Sequence, residues 1–210
     1  DNKKGLLRSI IALTEKISCH IPRVVVVVSP SLKEHAIQRK ILDPAKAVVI
    51  AKGSSNGIDL ALFSKTDNLV SQAKELKRKF GLTDKNIAIG FIGRLSKDKG
   101  IDILFSAFNV LVSKYPALRL VIAGPLIPEH PFSPRYLDQL YHDERVIYLG
   151  KLLDVRPVYG MIDMLVLPSY REGFPNVLIE AAAMELPVIA TDIAGCKDAV
   201  LRHASGELFA

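Results

Sequence analysis

Thiols and metal ligands are scarce in this 210-residue chain. Cys19 and Cys196 are its only cysteines, far apart and in no metal-ligand spacing. That excludes a disulfide scaffold and reads as two thiols in a reducing, cytoplasmic setting. The histidines, at positions 20, 35, 130, 142 and 203, form no pair at helical metal-binding spacing, so no structural zinc is expected. Long apolar runs are missing too: residues 24–28 are all valine, but five residues fall far short of a bilayer span. The N-terminus lacks the charged region followed by a long apolar core that marks a signal peptide. It opens on Asp1 rather than Met, so the expectation is a piece of a longer protein. No nucleic-acid motif is present and no aromatics are interleaved with the basic residues, which argues against a nucleic-acid partner.

The residues that are present are those of an ordinary folded domain, 49% hydrophobic and 24% charged, in a length that suits one substantial domain or one and part of another. The net charge of +6 is uneven: residues 1–80 hold 15 Lys and Arg against 7 Asp and Glu, the remainder 13 against 15. Two readings fit the basic N-terminal part. One is a solvated surface; the other is attraction to an acidic acceptor or to the inner face of an anionic membrane, as a peripheral contact.

Short apolar runs organise the chain, at residues 23–29, 47–53, 87–93, 118–124, 145–150, 163–168 and 187–192. They are near-continuous and rich in Val and Ile, as strands buried on both faces are. Segments of helical period lie between most of them, at 31–41, 68–80, 101–114 and 176–185, and residues 207–210 read as the start of another strand. Strand alternating with helix predicts an α/β fold with a doubly wound, Rossmann-like parallel sheet. The interval 52–67, KGSSNGIDLALFSKTD, is turn-rich and without period, which marks a linker. The expected organisation is therefore the end of one domain over 1–51, a linker over 52–67 and a ligand-binding domain over 68–210.

In an open parallel sheet, ligands bind beyond the carboxyl ends of the strands. After the run at 87–93, Gly93 and Gly100 bracket a loop carrying Arg94, Lys97 and Lys99, followed by a helix. Helix amides and the guanidinium fork of Arg94 suit an anion there, although a solvated basic turn reads equally well. After the run at 163–168 come Arg171, Glu172, Gly173, Phe174, Pro175, Asn176 and Val177, with Glu180 eight residues beyond Glu172. Pro175 or Asn176 opens the next helix, Gly173 permits close backbone approach, and the amides of residues 174–177 face the crevice. Glu180 sits in the apolar stretch NVLIEAAAMEL, where a carboxylate is costly unless paired. An acid/base couple, as in glycoside hydrolysis, is one reading of the two glutamates. Their placement across a helix N-terminus, with cations on a neighbouring loop, favours a clamp on one extended ligand.

These segments resemble the group 1 (family 4) glycosyltransferases of the GT-B fold. The resemblance rests on Gly93-Arg94-Leu95 with Lys99-Gly100, on Val121-Ile122-Ala123-Gly124, on Val146 to Gly150, on Pro168-Ser169 with Glu172-Gly173-Phe174-Pro175 and Glu180-Ala181, and on Pro187-Val188-Ile189-Ala190-Thr191. Upstream, Val28-Ser29-Pro30-Ser31 and Asn56-Gly57-Ile58-Asp59 with Phe63 resemble the end of the family's N-terminal domain and its linker. The resemblance implies the C-terminal, donor-binding half of a retaining hexosyl- or N-acetylhexosaminyl-type transferase using a nucleotide diphosphate sugar, with UDP as the expected nucleotide. It implies that Arg94 and Lys99 hold the diphosphate, that Glu172 contacts the transferred sugar, and that Glu180 accepts from the ribose hydroxyls. Gly173, Phe174, Pro175, Asn176 and Val177 would line the sugar and phosphate site, and Gly150, Lys151 and Leu152 would lie against the base. No cofactor or metal is implied. The acceptor, a saccharide or a lipid-linked intermediate, would be held by an N-terminal domain largely outside this sequence, so the chain is expected to bind nucleotide without turning over.

Two features depart from the family or compete with it. Residues 124–131, GPLIPEHP, replace the acidic or glycine-rich stretch frequent in the family, which changes the expected floor of the phosphate site. Competing readings are a nucleotide-sugar epimerase of the same fold, which needs further acid/base groups, and a non-catalytic nucleotide-binding module, against which Arg94, Lys99, Glu172 and Glu180 stand.

Overall fold

A computed structural model of the protein describes residues 2–129 and 131–210. His130, one of the five histidines and part of the divergent 124–131 stretch, lies outside the described residues.

Strands β1 (Val25–Val26) and β2 (Ala47–Val48) pair in parallel as a small sheet of their own. The runs at 23–29 and 47–53 are therefore strand over only two residues each. Val24, Val26, Val48 and Ile50 are exposed, and among the described residues the two strands have no other neighbour to extend the ladder. Between them lies α2 (Pro30–Gln38), which starts where proline is accepted and is capped by the Ser29 hydroxyl. Preceding both is α1 (Asn2–His20), in a segment where the sequence reading assigned no element; Ile10, Leu13 and Ile17 on it are exposed. A small core of Val27, Leu42 and Ala47 is separate from the main one.

The rest of the chain builds a six-stranded parallel sheet. Its strands are β3 (Ile87–Ile92), β4 (Leu118–Ala123), β5 (Val146–Gly150), β6 (Met164–Leu167), β7 (Val188–Thr191) and β8 (Gly206–Phe209). They run in the order β5-β4-β3-β6-β7-β8. The five apolar runs from residue 87 onward are all strands, and so is the C-terminal segment. The helices are α3 (Asp67–Lys79), α4 (Ile101–Lys114), α5 (Pro134–His142), α6 (Arg156–Met161), α7 (Asn176–Ala183) and α8 (Cys196–Ala199). Helix α7 stops two residues before its expected end, because Glu185 takes a left-handed conformation. Helices α5 and α6, nine and six residues long, are too short to show a period in the sequence.

Helix α3 carries four of the 15 basic residues of the first 80, against two acidic ones. Its Leu69 and Ala73 are buried, while Lys74, Arg78 and Lys79 lie on its exposed side. On this helix these basic side chains are solvated. Among the described residues no helix is long and apolar enough to cross a membrane.

Phe91, Phe105, Phe108, Leu120, Ile122 and Leu165 are fully or almost fully buried in the main core. One sheet face is incompletely covered: Met164, Val166, Ile189 and Phe209, with Ile103 and Leu111 of α4, surround an apolar cavity of about 230 Å³.

Candidate functional site

The strand order reverses between β3 and β6. From β3 the chain moves one way to β4 and β5, then returns to β6 and continues the other way to β8. The loops after β3 and β6 thus diverge around a crevice at the carboxyl ends of the strands, the position where open parallel sheets bind ligands. These are the two loops that carry Arg94 and Lys99, and Glu172.

The loops are seated on one another. Gly100 is buried at φ +71°, and a Cβ there would overlap the carbonyl oxygen of Pro168. The Tyr170 amide donates to the Asp98 carbonyl at 2.9 Å. Lys99 Nζ and Glu172 Oε1 meet at 2.6 Å, with their side chains 17% and 10% exposed. On the other side, Leu95 N–H donates to Pro125 O at 2.8 Å and Ile127 N–H to Leu95 O at 3.2 Å, which joins the β3 loop to the β4 loop. Gly195, φ +83°, leads into α8, and a Cβ there would overlap the Gly173 carbonyl.

Arg94 is exposed and lines an open cavity of about 600 Å³ with Lys97, Asp98, Glu129, Tyr170 and Arg171. The Asp98 carboxyl is held below its ordinary range, first by the Ser96 hydroxyl at 2.6 Å and also by the Lys99 and Arg171 charges. That carboxylate ties the cavity to the Lys99–Glu172 pair. Glu129 brings the divergent 124–131 stretch into this cavity, beside Arg94 and Arg171.

Helix α7 begins at Asn176 with Pro175 as its N-cap, so Pro175 itself supplies no N–H. The first-turn amides of a helix have no partner within it, and those of Asn176 and Val177 are of this kind. The Asn176 side chain accepts from the Ser54 hydroxyl at 2.8 Å. Phe174 and Gly173 lie against other parts of the protein: a Cβ on Gly53 would touch the Phe174 ring at 3.2 Å, and one on Gly173 would touch Val28 at 3.2 Å. Val28, Gly53 and Ser54 therefore lie against the loop that bears Glu172 and the start of α7.

Glu180 has the partner its setting demands. The Tyr159 hydroxyl, on α6, donates to Glu180 Oε2 at 2.5 Å. Tyr159 is 1% exposed, and its phenol is pushed well above the ordinary value by burial first and then by the Glu180 charge. Phe63 packs edge-on against the Tyr159 ring, centroids 6.1 Å apart. Sequence reasoning missed Tyr159. The cost of a carboxylate in an apolar helix shows that some partner exists, but nothing in the sequence says which residue it is.

Gly150 ends β5 and accepts the Gly124 amide at 2.8 Å, while Lys151 is exposed and Leu152 half-buried beside it. Cys196, the first residue of α8, is buried, and its thiol is pushed up to about 12 by burial and secondarily by the Glu172 charge. Both cysteines are free thiols. Among the described residues no group of three or more His, Cys, Asp or Glu side chains converges as a metal site.

Residues 86–210 match the family described as Glycosyl transferases group 1. The chain is 33% identical over 204 residues to the capsular polysaccharide biosynthesis glycosyltransferase CapM of Staphylococcus aureus, covering 97% of this chain and 52% of that protein. It is 31% identical to the D-inositol 3-phosphate glycosyltransferase of Mycobacterium marinum, covering 79% of this chain and 34% of that one. The chain thus spans from a third to about half of the length of these curated relatives. Among solved structures, it superposes on Anabaena HepE in complex with UDP and glucose with a TM-score of 0.75 at 23% identity, over 91% of this chain and 50% of that one. The C-terminal domain of the group 1 family protein LpcC from Francisella tularensis gives a TM-score of 0.59 at 26% identity, over 73% and 80%. The fold is that of GT-B glycosyltransferases.

Proposed function

Because the chain belongs to the group 1 glycosyl transferases, we propose that it is the donor-binding part of an enzyme that moves a sugar from a nucleotide diphosphate sugar to an acceptor. The observation that carries this reading is the ion pair of Lys99 and Glu172 at the reversal point of the sheet. The bond that breaks in such a reaction joins a sugar to a phosphate. A cation for the phosphate and a carboxylate for the sugar must therefore stand side by side, as these two do.

Negative charge accumulates on the leaving diphosphate, and oxocarbenium character on the sugar. Fixed cations and helix amides stabilise the first and a carboxylate the second. In this reading Arg94, Lys99 and the α7 amides take the diphosphate, Glu172 faces the sugar, and Glu180, oriented by Tyr159, accepts from the ribose hydroxyls. The reaction retains configuration, with Arg94 and Lys99 serving where other transferases use a divalent metal. A UDP-linked hexose or N-acetylhexosamine is the proposed donor, which agrees with the UDP and glucose bound in HepE. A saccharide or lipid-linked acceptor agrees with the capsular polysaccharide role named for CapM. Cytoplasmic placement, with basic residues contacting an anionic membrane peripherally, belongs to the same proposal. So does the division of the chain at residues 52–67.

Titration of UDP, GDP and ADP against this chain tests the reading. UDP is expected to bind, and Arg94→Ala to weaken it by about tenfold or more, the range of a charge-assisted phosphate contact. No binding of any nucleoside diphosphate, or an indifferent Arg94→Ala, refutes the phosphate assignment. In the intact enzyme, Glu180→Ala should weaken nucleotide binding, and Glu172→Ala should lower turnover more than affinity. The reverse pattern exchanges the two roles.

A further inference from the structure

Ser31 lies in the second position of α2, in the small two-stranded unit, and Asp198 lies in α8, beyond β7 of the large sheet. Although 167 positions apart, they are joined twice: the Ser31 amide and hydroxyl both donate to Asp198 Oδ2, at 2.9 and 2.6 Å. The Ser31 hydroxyl also accepts the Gly195 amide at 2.8 Å. The hydroxyl is thus used in both directions, and the carboxylate sits at the amide end of α2, where negative charge is favoured. Hydrogen bonds to a carboxylate are stronger than those between neutral groups.

Gly195 lies close to the loop that carries Glu172: a Cβ added there would overlap the Gly173 carbonyl oxygen and fall 3.0 Å from that of Glu172. Ser31 therefore holds, through Gly195, the backbone that carries Glu172. The small unit approaches that backbone independently at Val28, against Gly173, and Ser54, just beyond β2, donates to Asn176.

We infer that Ser31 and Asp198 are positioning residues: a clasp between the two units that fixes the Glu172 backbone and makes its geometry depend on how the units are joined. This rests on the glycosyl-transfer reading for its functional consequence, though not for its structural one. Neither residue touches the donor in this scheme.

The test compares wild type with Ser31→Ala, Asp198→Ala, the double variant and the conservative Asp198→Asn, which keeps an acceptor oxygen. In this chain, exchange of the Gly195 amide, which donates to Ser31 Oγ, should accelerate about tenfold in either alanine variant while the β3 and β4 amides stay at wild-type rates. The double variant should be no worse than the worse single one, because the two side chains act as one unit. Asp198→Asn should recover part of the protection. In the intact enzyme, turnover should fall about tenfold or more while UDP affinity changes less than threefold, the signature of a misplaced carboxylate rather than a lost contact. Unchanged exchange at Gly195, acceleration spread evenly over the sheet, or additive losses in the double variant would each overturn the clasp. Failure of wild type to bind UDP would instead sink the transferase reading, and the exchange comparison would still decide the clasp.

Discussion

Replacing Tyr159 by Phe removes one oxygen and leaves the ring in place against Phe63. It isolates the hydrogen bond to Glu180, 2.5 Å long and donated from a residue 1% exposed. Hydrogen bonds to charged groups contribute about 1.5–3 kcal/mol. Glu180 is only half-buried and partly rehydrates when the hydroxyl is lost, which places the cost near the lower end, about 1.5 kcal/mol. For a chain of this length each kcal/mol moves Tm by about 2–4 °C, so a fall of about 3–6 °C is expected in calorimetry at pH 7. The alkaline limb gives a second signature. The folded phenol titrates above its unfolded value, so its stabilisation is complete below about pH 10. As pH rises further the unfolded chain ionises first and stability falls, by about 1.4 kcal/mol per pH unit. That component should vanish from the Tyr159→Phe profile, and the difference between the two curves reports it free of the other titrating groups. Because Glu180 loses its orientation, UDP affinity should fall about threefold to tenfold, equivalent to roughly 0.7–1.4 kcal/mol. A variant with wild-type Tm and an unaltered alkaline slope would refute the claim that this hydrogen bond holds Glu180.

Gly100→Ala should cost at least about 2 kcal/mol, since a left-handed alanine is strained and its methyl overlaps the Pro168 carbonyl; a chemical-denaturation midpoint equal to wild type would contradict the seating of the two loops. Asp143 is held down to about 2 by Arg145, which donates to it at 2.7–2.8 Å. The depressed value means that its contribution, about 2 kcal/mol by linkage, is present above about pH 4 and lost as pH falls through 2. Asp143→Asn should accordingly lower stability at pH 7 and leave it unchanged near pH 1.5, a comparison that urea unfolding at the two pH values decides.

The sheet was legible because its strands are buried on both faces and read as apolar runs whatever their neighbours. The runs at 23–29 and 47–53 look the same in sequence, yet each pairs over only two residues, since strand length depends on how many partners flank it. Helices α3 and α4 carry enough turns to show their period, whereas α5 and α6 do not. In the site, Arg94, Lys99, Glu172 and Glu180 stood out by their position after strands or within an apolar helix. Tyr159, Ser31 and Asp198 did not, because their partners lie 21 to 167 residues away and a hydroxyl has no sequence pattern of its own.

Surface loops ordinarily tolerate gain or loss of residues better than the elements they join. The strand-end loops of this sheet are an exception of a specific kind: Gly100 lies under Pro168, Gly195 under Gly173, and Leu95 is bonded to Pro125 and Ile127. Each loop's length sets the resting place of the next. Side chains that project from them, such as Lys97, Tyr170 and Arg171, are free to be exchanged one at a time, but a single inserted residue in any loop would shift all three. Divergence in what this site accepts should therefore be written in substitutions rather than in insertions, and a redesign of its specificity should hold loop length constant.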